Sequence, residues 1–217
     1  MTALSYRYRS VRTELPQNGD VMGAEPQSDI VIIGCGPVAL FSVFQLGLFG
    51  FRCHLLDACD RPGGQCTALY ADKPIYDIPG FPEIIGEELV ERLLKQIAPY
   101  DPAFCFNRIV DDISIHQEGV TVATRNGDKL EARAAVIASG LGAFTGNGQV
   151  VRPDPLAELS LVKTGNTLAV SSETFKTSSP KVYAIGDACH YPGKLKLILS
   201  GFHEAALMTQ AIRRELR

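Results

Sequence analysis

The sequence predicts an α/β fold, a parallel sheet covered by helices with a small antiparallel meander attached. Three observations carry that reading. Ile30-Val31-Ile32-Ile33 is a β-branched run without a polar face, which fits a strand buried on both sides. It leads through Gly34-Cys35-Gly36 into an apolar helical stretch over 37–49, and Arg52-Cys53-His54-Leu55-Leu56-Asp57 returns as a second strand. Strand, glycine turn, helix and strand within thirty residues make a βαβ unit. Finally, Asn126-Gly127 between two short apolar segments is a hairpin signal.

The remaining elements follow in order. Residues 1–28 are polar, aperiodic and hold Pro16, Gly19, Gly23 and Pro26, so they read as a flexible arm. Gly50 closes the first helix. The spacing of Leu89, Val90, Leu93, Leu94 and Ile97 predicts an amphipathic helix over 87–98. Three strands are expected at 109–116, 119–124 and 129–133, followed by a separate buried strand at 134–138 that runs into Ser139-Gly140. Residues 145–155 read as a connection, 166–171 and 181–185 as strands, and 201–216 as the final helix.

Composition limits the function. The chain has 217 residues, 46% of them apolar and 21% charged, the balance of one globule with a sizeable core. A net charge of -3 argues against a basic nucleic-acid binder. No apolar run approaches the roughly 20 residues of a membrane-spanning helix. The N-terminal stretch carries Arg7, Arg9 and Arg12 without an apolar segment, so no secretion signal is read there. Six cysteines include no C-x-x-C pair, which disfavours structural zinc and a dithiol redox motif. Free thiols and a cytoplasmic location are expected.

The chemistry starts at Gly34-x-Gly36-x-x-Ala39, the G-x-G-x-x-A form of the dinucleotide fingerprint. Gly34 allows the tight turn, Gly36 lets a diphosphate approach the backbone, and Ala39 lets helix and strand pack closely. Pro37 and Val38 open the helix, whose free N–H groups and positive dipole end suit an anion. Asp57 lies 23 positions after Gly34, at the end of the second strand, where a carboxylate would accept from an adenosine ribose. This is a Rossmann-like dinucleotide site, and the fingerprint alone does not separate FAD from NAD(P).

Two later segments favour FAD. Val182-Tyr183-Ala184-Ile185-Gly186-Asp187-Ala188 and Ile137-Ala138-Ser139-Gly140 resemble the two shared late elements of the two-dinucleotide-binding flavoproteins. Between the fingerprint and these segments, Gly63-Gly64-Gln65-Cys66-Thr67-Ala68-Leu69-Tyr70 and Ile75-Tyr76-Asp77-Ile78-Pro79-Gly80-Phe81-Pro82 look like the paired loops of thioredoxin-reductase-like ferredoxin–NADP reductases. Lys194-Leu195-Lys196-Leu197-Ile198 and Gly201-Phe202-His203-Glu204-Ala205 are similar to that family's final segment. The resemblance covers 29–144 and 160–214.

That resemblance implies FAD as cofactor and assigns its contacts. Asp57 stands where the family has an acidic residue, usually Glu, on the ribose. Gly64, Gln65 and Tyr70 match the loop beside the flavin ring, with the tyrosine stacked on it. Val110 matches a backbone contact to the adenine end, and Gly140 and Phe144 match contacts on the flavin side. Gly186 and Asp187 match the Gly-Asp pair that meets the ribityl and phosphate groups. A helix starting near residue 200 would aim its positive end at the pyrimidine edge of the flavin.

The resemblance also implies a second Rossmann domain of roughly 120 residues between Phe144 and Asn166, where relatives bind NADPH. Here that gap is about twenty residues, and Gly146-Asn147-Gly148 has no strand before it and no helix after it. The chain also stops at Arg217, before the tail with which the family covers the other flavin face. A single FAD domain is therefore expected, built from 29–144 and 160–217 and joined by a bridge at 145–159. Its flavin would be exposed and reduced only slowly by NAD(P)H.

The leading functional expectation is a minimal FAD-dependent oxidoreductase that exchanges electrons with a ferredoxin- or flavodoxin-like protein, or with a small acceptor such as a quinone or oxygen. A non-catalytic FAD-binding electron-transfer subunit or redox sensor is the alternative. A third reading gives Cys66 a thiol role beside the flavin. His203 is a weaker candidate proton donor, in a place where relatives tend to have glycine. Homodimerisation is what the resemblance implies. No metal, nucleic-acid partner or membrane span is expected.

Overall fold

In the computed structural model, residues 28–144, 150–152 and 160–217 are described. The uniformly apolar start becomes β1 (Ser28–Ile33), with Ile30, Val31 and Ile32 fully buried. Ser28 belongs to this strand, so the expected arm reaches one residue too far; its other residues lie outside the described ones. Helix α1 (Pro37–Gly47) follows, with Pro37 in its first turn, where the missing N–H breaks no helical bond. It is apolar on nearly all sides because it is wedged between the sheet and two other helices. Two residues shorter than expected, α1 ends in a turn that Gly50 completes at φ 79°.

Strand β2 (Cys53–Leu56) pairs parallel with β1, placing Ile33 opposite Leu56. A short helix α2 (Gln65–Ala68) and a small hairpin, β3 (Pro74–Ile75) with β4 (Ile84–Ile85), come next. Neither was expected, since four- and two-residue elements leave no periodic trace. Helix α3 (Gly86–Ile97) buries Leu89, Val90, Leu93 and Ile97. Glu87 and Glu88 in its first turn and Lys95 in its last complement the helix dipole. Residues 98–100 form a 3-10 turn and lead into β5 (Ala103–Cys105), an unexpected edge strand parallel to β2.

The meander is β6 (Val110–Ile115), β7 (Val120–Thr124) and β8 (Lys129–Ile137). The two strands expected at 129–133 and 134–138 are one. The first half of β8 pairs antiparallel with β7, and its second half lies parallel between β1 and β13 (Val182–Ala184). Its burial changes accordingly from alternating to continuous. The parallel core thus runs β5-β2-β1-β8-β13, with the meander hung on the same sheet.

The connecting region holds a small antiparallel pair, β9 (Ala143–Phe144) with β10 (Val150–Arg152), where a plain connection was expected. Residues 145–149 and 153–159 of the expected bridge lie outside the described ones. A second small sheet joins β11 (Lys163–Thr164), β12 (Thr167–Ala169) and β14 (Cys189–His190). The last helix, α4 (Ile198–Leu216), begins three residues earlier than expected and packs on α1. Among the described residues all six cysteines are free, no cluster could hold a metal, and no helix is long and apolar enough to cross a membrane.

One half-buried group of this sheet gives an expected pH dependence. His54 on β2 is half-buried, and its Nδ1 has no hydrogen-bond partner among the described residues. Burial, with help from the Arg52 charge, holds its pKa below the ordinary 6.5. Folded His54 therefore stays neutral where the unfolded chain takes up a proton. Its contribution is intact above the unfolded value of about 6.5 and is lost progressively as pH falls from there through the lower folded value. Urea unfolding of wild type and His54→Leu at pH 7.5 and 5.5 should show the variant losing less stability on acidification; equal losses would overturn this.

Candidate cofactor site

The C-terminal ends of the parallel strands open into one cavity of about 530 Å³, within the usual range for small-molecule sites. Its walls are the ends of β1, β2, β8 and β13, together with α2, the β3 segment and the start of α4. Ligands of open α/β sheets bind at such an edge because the strand order reverses there and the loops diverge.

The floor is the fingerprint turn. Gly34 sits at φ 109°, and a Cβ placed there would lie 2.4 Å from the Ala138 carbonyl oxygen, so β1 and β8 meet over a bare backbone. Gly36 caps α1 in extended conformation, without any side-chain cap. A Cβ on Gly36 would meet nothing nearer than the Gly63 oxygen at 4.0 Å, leaving its open side to the cavity. Pro37 has no N–H, and the N–H groups of Val38 and Ala39 fall in the first turn, where a helix offers them no acceptor. An anion with several oxygens fits this floor.

Asp57, 9% exposed, is the carboxylate on the wall. Its Oδ2 accepts from the Cys35 N–H at 2.6 Å and its Oδ1 from the Cys59 N–H at 2.8 Å. Burial pushes its pKa up, and the bonds from Cys59 and Cys35 oppose that shift. Asp57 therefore holds the fingerprint turn as well as facing the cavity. A carboxylate has about four acceptor positions, and with the Cys59 side chain also bonded to it, about one remains for a ligand.

The other expected residues divide in two. Gly64, Gln65, Tyr70, Val110, Gly140, Gly186 and Asp187 all line the cavity, as do Val38 and Pro37. Gln65 reaches across to Gly140, with its Nε2 3.4 Å from where a Cβ would be. Tyr70 stands at the mouth, 44% exposed, under the Lys73 ammonium at 5.0 Å from its ring centre. Phe144 is on β9, and its side chain lies outside the described ones. His203 is exposed on α4 and is not among the residues lining the cavity.

Cys66 lines the cavity from α2, but it is 7% exposed and burial, with the Asp77 charge, pushes its pKa up to about 11. A thiol so rarely ionised is a poor nucleophile. Alkylation of the native protein at pH 7.5 should leave Cys66 unmodified over hours, and Cys66→Ala should keep cofactor binding and electron transfer within about twofold. Rapid labelling at Cys66, mapped by mass spectrometry, would restore the thiol reading.

The sequence assigned no role to Ser139, whose buried hydroxyl has no partner among the described residues and which lines the cavity, nor to Arg108, which lines it while paired with Asp128 at 2.5 Å. Ser139 lay in plain view beside Gly140; only its orphaned hydroxyl marks it as a donor awaiting a ligand.

No protein-family model matches the chain. It is 32% identical to a ferredoxin–NADP reductase of Mesorhizobium japonicum, over 86% of this chain and 90% of that protein. A reductase of the same name from Wolbachia pipientis is 46% identical over 122 residues, 56% of this chain and 36% of that one. The Mesorhizobium alignment runs to 310 positions, more than the 217 residues present, so that relative carries residues with no counterpart here. Among solved structures, the thioredoxin reductase of Lactococcus lactis matches with a TM-score of 0.71 at 13% identity, over 87% of this chain and 98% of that one. A ferredoxin-flavin thioredoxin reductase from Clostridium acetobutylicum gives 0.70 at 15%, over 87% and 98%. At such identities the structural matches speak for the fold.

Proposed function

The chain belongs to the thioredoxin-reductase-like ferredoxin–NADP reductase family of flavin oxidoreductases, and from that premise we propose a pared-down member that keeps the FAD site and exchanges electrons with a ferredoxin-type protein. One observation carries this reading. The cavity at the parallel strand ends is lined by most of the expected FAD-contact residues, while fewer than twenty residues separate Phe144 from Lys163. A nucleotide-binding βαβ unit needs about 30 residues or more, so no second dinucleotide domain fits there.

The residues present suit FAD. Gly36 and the first turn of α1 would hold the diphosphate, and Asp57 the adenosine ribose, with the Val110 backbone beside the adenine. Asp187 and the Ser139 hydroxyl supply polar contacts along the middle of the cavity, and Gln65 and Tyr70 frame its mouth. The start of α4 adds N–H groups and a positive dipole end there. FAD, when bound, supplies the electron transfer that no side chain can perform. The protein's own part is to hold, to orient and to leave one edge accessible.

That edge is apolar and open: Tyr76 is 66% exposed and Leu197 44%, and both line the cavity. An open mouth suits a partner protein better than a small donor that must be clamped. Bridge 145–159 and the single-domain organisation belong to this same proposal, as do slow reduction by NAD(P)H and an exposed flavin.

The test is anaerobic mixing of the FAD-loaded protein with reduced ferredoxin, followed at the flavin absorbance band. Bleaching at a rate that rises and saturates with ferredoxin is expected. A stable yellow protein that no protein donor reduces would favour the non-catalytic subunit, and a colourless protein that takes up no FAD would overturn the proposal.

A further inference from the structure

Next to the Gly186–Asp187 turn lies a buried ionic cluster that no motif assigned. Glu204 on α4 is 0% exposed. Its Oε2 accepts from the Gly186 N–H at 2.7 Å and lies 3.7 Å from the Cys189 thiol. Its Oε1 accepts from the Tyr191 hydroxyl at 2.9 Å and from the Lys194 ammonium, whose side chain is only 4% exposed. The four acceptor positions of the carboxylate are thus matched by four donors from one short stretch of chain.

The same place is where three elements meet. A Cβ on Gly186 would lie 3.6 Å from Val38, and one on Gly201 would lie 2.3 Å from it. Val38 at the start of α1 therefore touches both the turn and the first turns of α4. Glu204 ties the turn to α4 from the other partner, through the Gly186 N–H. Asp187, the next residue, lines the cavity, as do Lys196, Leu197 and Ile198 just before and at the start of α4.

We propose that Glu204, paired with Lys194, is a positioning residue that fixes the Gly186 N–H and so sets where Asp187 and the α4 N-terminus face the cofactor. A buried ion pair adds little net stability over an apolar replacement of similar shape, which leaves geometry as its use here. The inference rests on the reading that FAD occupies the cavity.

The test compares wild type with Glu204→Gln/Lys194→Met, which removes both charges and keeps the volume. In the apoprotein, exchange of the Gly186 amide, read by NMR, should accelerate at least about tenfold while the thermal midpoint moves little. FAD binding, read by fluorescence quenching, should weaken at least about tenfold, equal to one factor of ten in Kd. Glu215→Gln is the control: Glu215 sits at the far end of α4, bound to Lys176 and Tyr183, and should leave FAD affinity unchanged. If the double variant does not fold, Glu204→Asp, one methylene shorter, is read in the same two ways. An amide that exchanges as in wild type, or faster exchange with unchanged FAD affinity, would overturn the proposal. Failure of wild type itself to bind FAD would sink the cofactor reading instead, and the amide would still report whether Glu204 holds the turn.

Discussion

Mixed anaerobically with NADPH, the FAD-loaded protein should stay yellow for minutes, while dithionite bleaches it at once. The reason is positional. Hydride transfer needs the donor carbon held about 3–3.5 Å from its acceptor in a productive pose, and misplacement by about 1 Å already costs on the order of 100-fold. The Mesorhizobium reductase carries residues with no counterpart in this chain, and this chain passes from Phe144 to Lys163 too briefly to build a second nucleotide site. The cavity at the strand ends has the size and polar groups for one dinucleotide, and in the proposed reading FAD would fill it. Reduction by NADPH should therefore be at least about 100-fold slower than by reduced ferredoxin at equal concentration. Stopped-flow absorbance decides it. Bleaching by micromolar NADPH within seconds would mean that a nicotinamide is held against the flavin after all, and the partner-fed reading would fall.

Much of this was legible in the residues. The fingerprint, the strand before it and the helix after it are local features, and each is set by rules that act within a few residues. The cavity floor was therefore readable from Gly34 and Gly36. Where pairing decides, the sequence was ambiguous. Residues 129–133 alternate and 134–138 do not, which looks like two strands; β8 is one strand because its first half borders a meander and its second half lies in the middle of a parallel sheet. Strand β5 is three residues long, and only its place after an amphipathic helix marks it.

The site shows the same division. Asp57 was identified by its distance from the fingerprint, but its bonds to the Cys35 and Cys59 amides depend on a fold that brings residues 35, 57 and 59 together. Glu204 was visible only as a letter in a familiar run. Its four partners lie 10 to 18 positions upstream, at no period that a helix or strand would reveal.

Two glycines only two positions apart should respond oppositely to the same kind of change. Gly34→Ala places a methyl group 2.4 Å from a backbone oxygen and forces a residue with a side chain to φ 109°. Neither neighbour can move cheaply, because each directly follows a core strand and is tied to the next one, the Gly34 N–H donating to the Leu56 oxygen at 2.7 Å and the Ala138 N–H to the Ile33 oxygen at 2.8 Å. The expected cost is at least about 2 kcal/mol, read as a lower midpoint in urea unfolding of the apoprotein. Gly36→Val differs: its new Cβ meets nothing closer than 4.0 Å, and its φ of -76° is one that any residue adopts. The apoprotein should keep its stability within about 1 kcal/mol. The added methyl groups would, however, stand on the cavity floor where the diphosphate must approach the α1 N–H groups. FAD affinity should fall by about 100-fold or more, since displacement from that floor forfeits charge-assisted hydrogen bonds worth roughly 1.5–3 kcal/mol each. Fluorescence titration with FAD and urea unfolding, run on both variants, separate the two effects. If Gly36→Val binds FAD as wild type does, the anion does not sit at the start of α1, and the cofactor would have to lie elsewhere in the cavity.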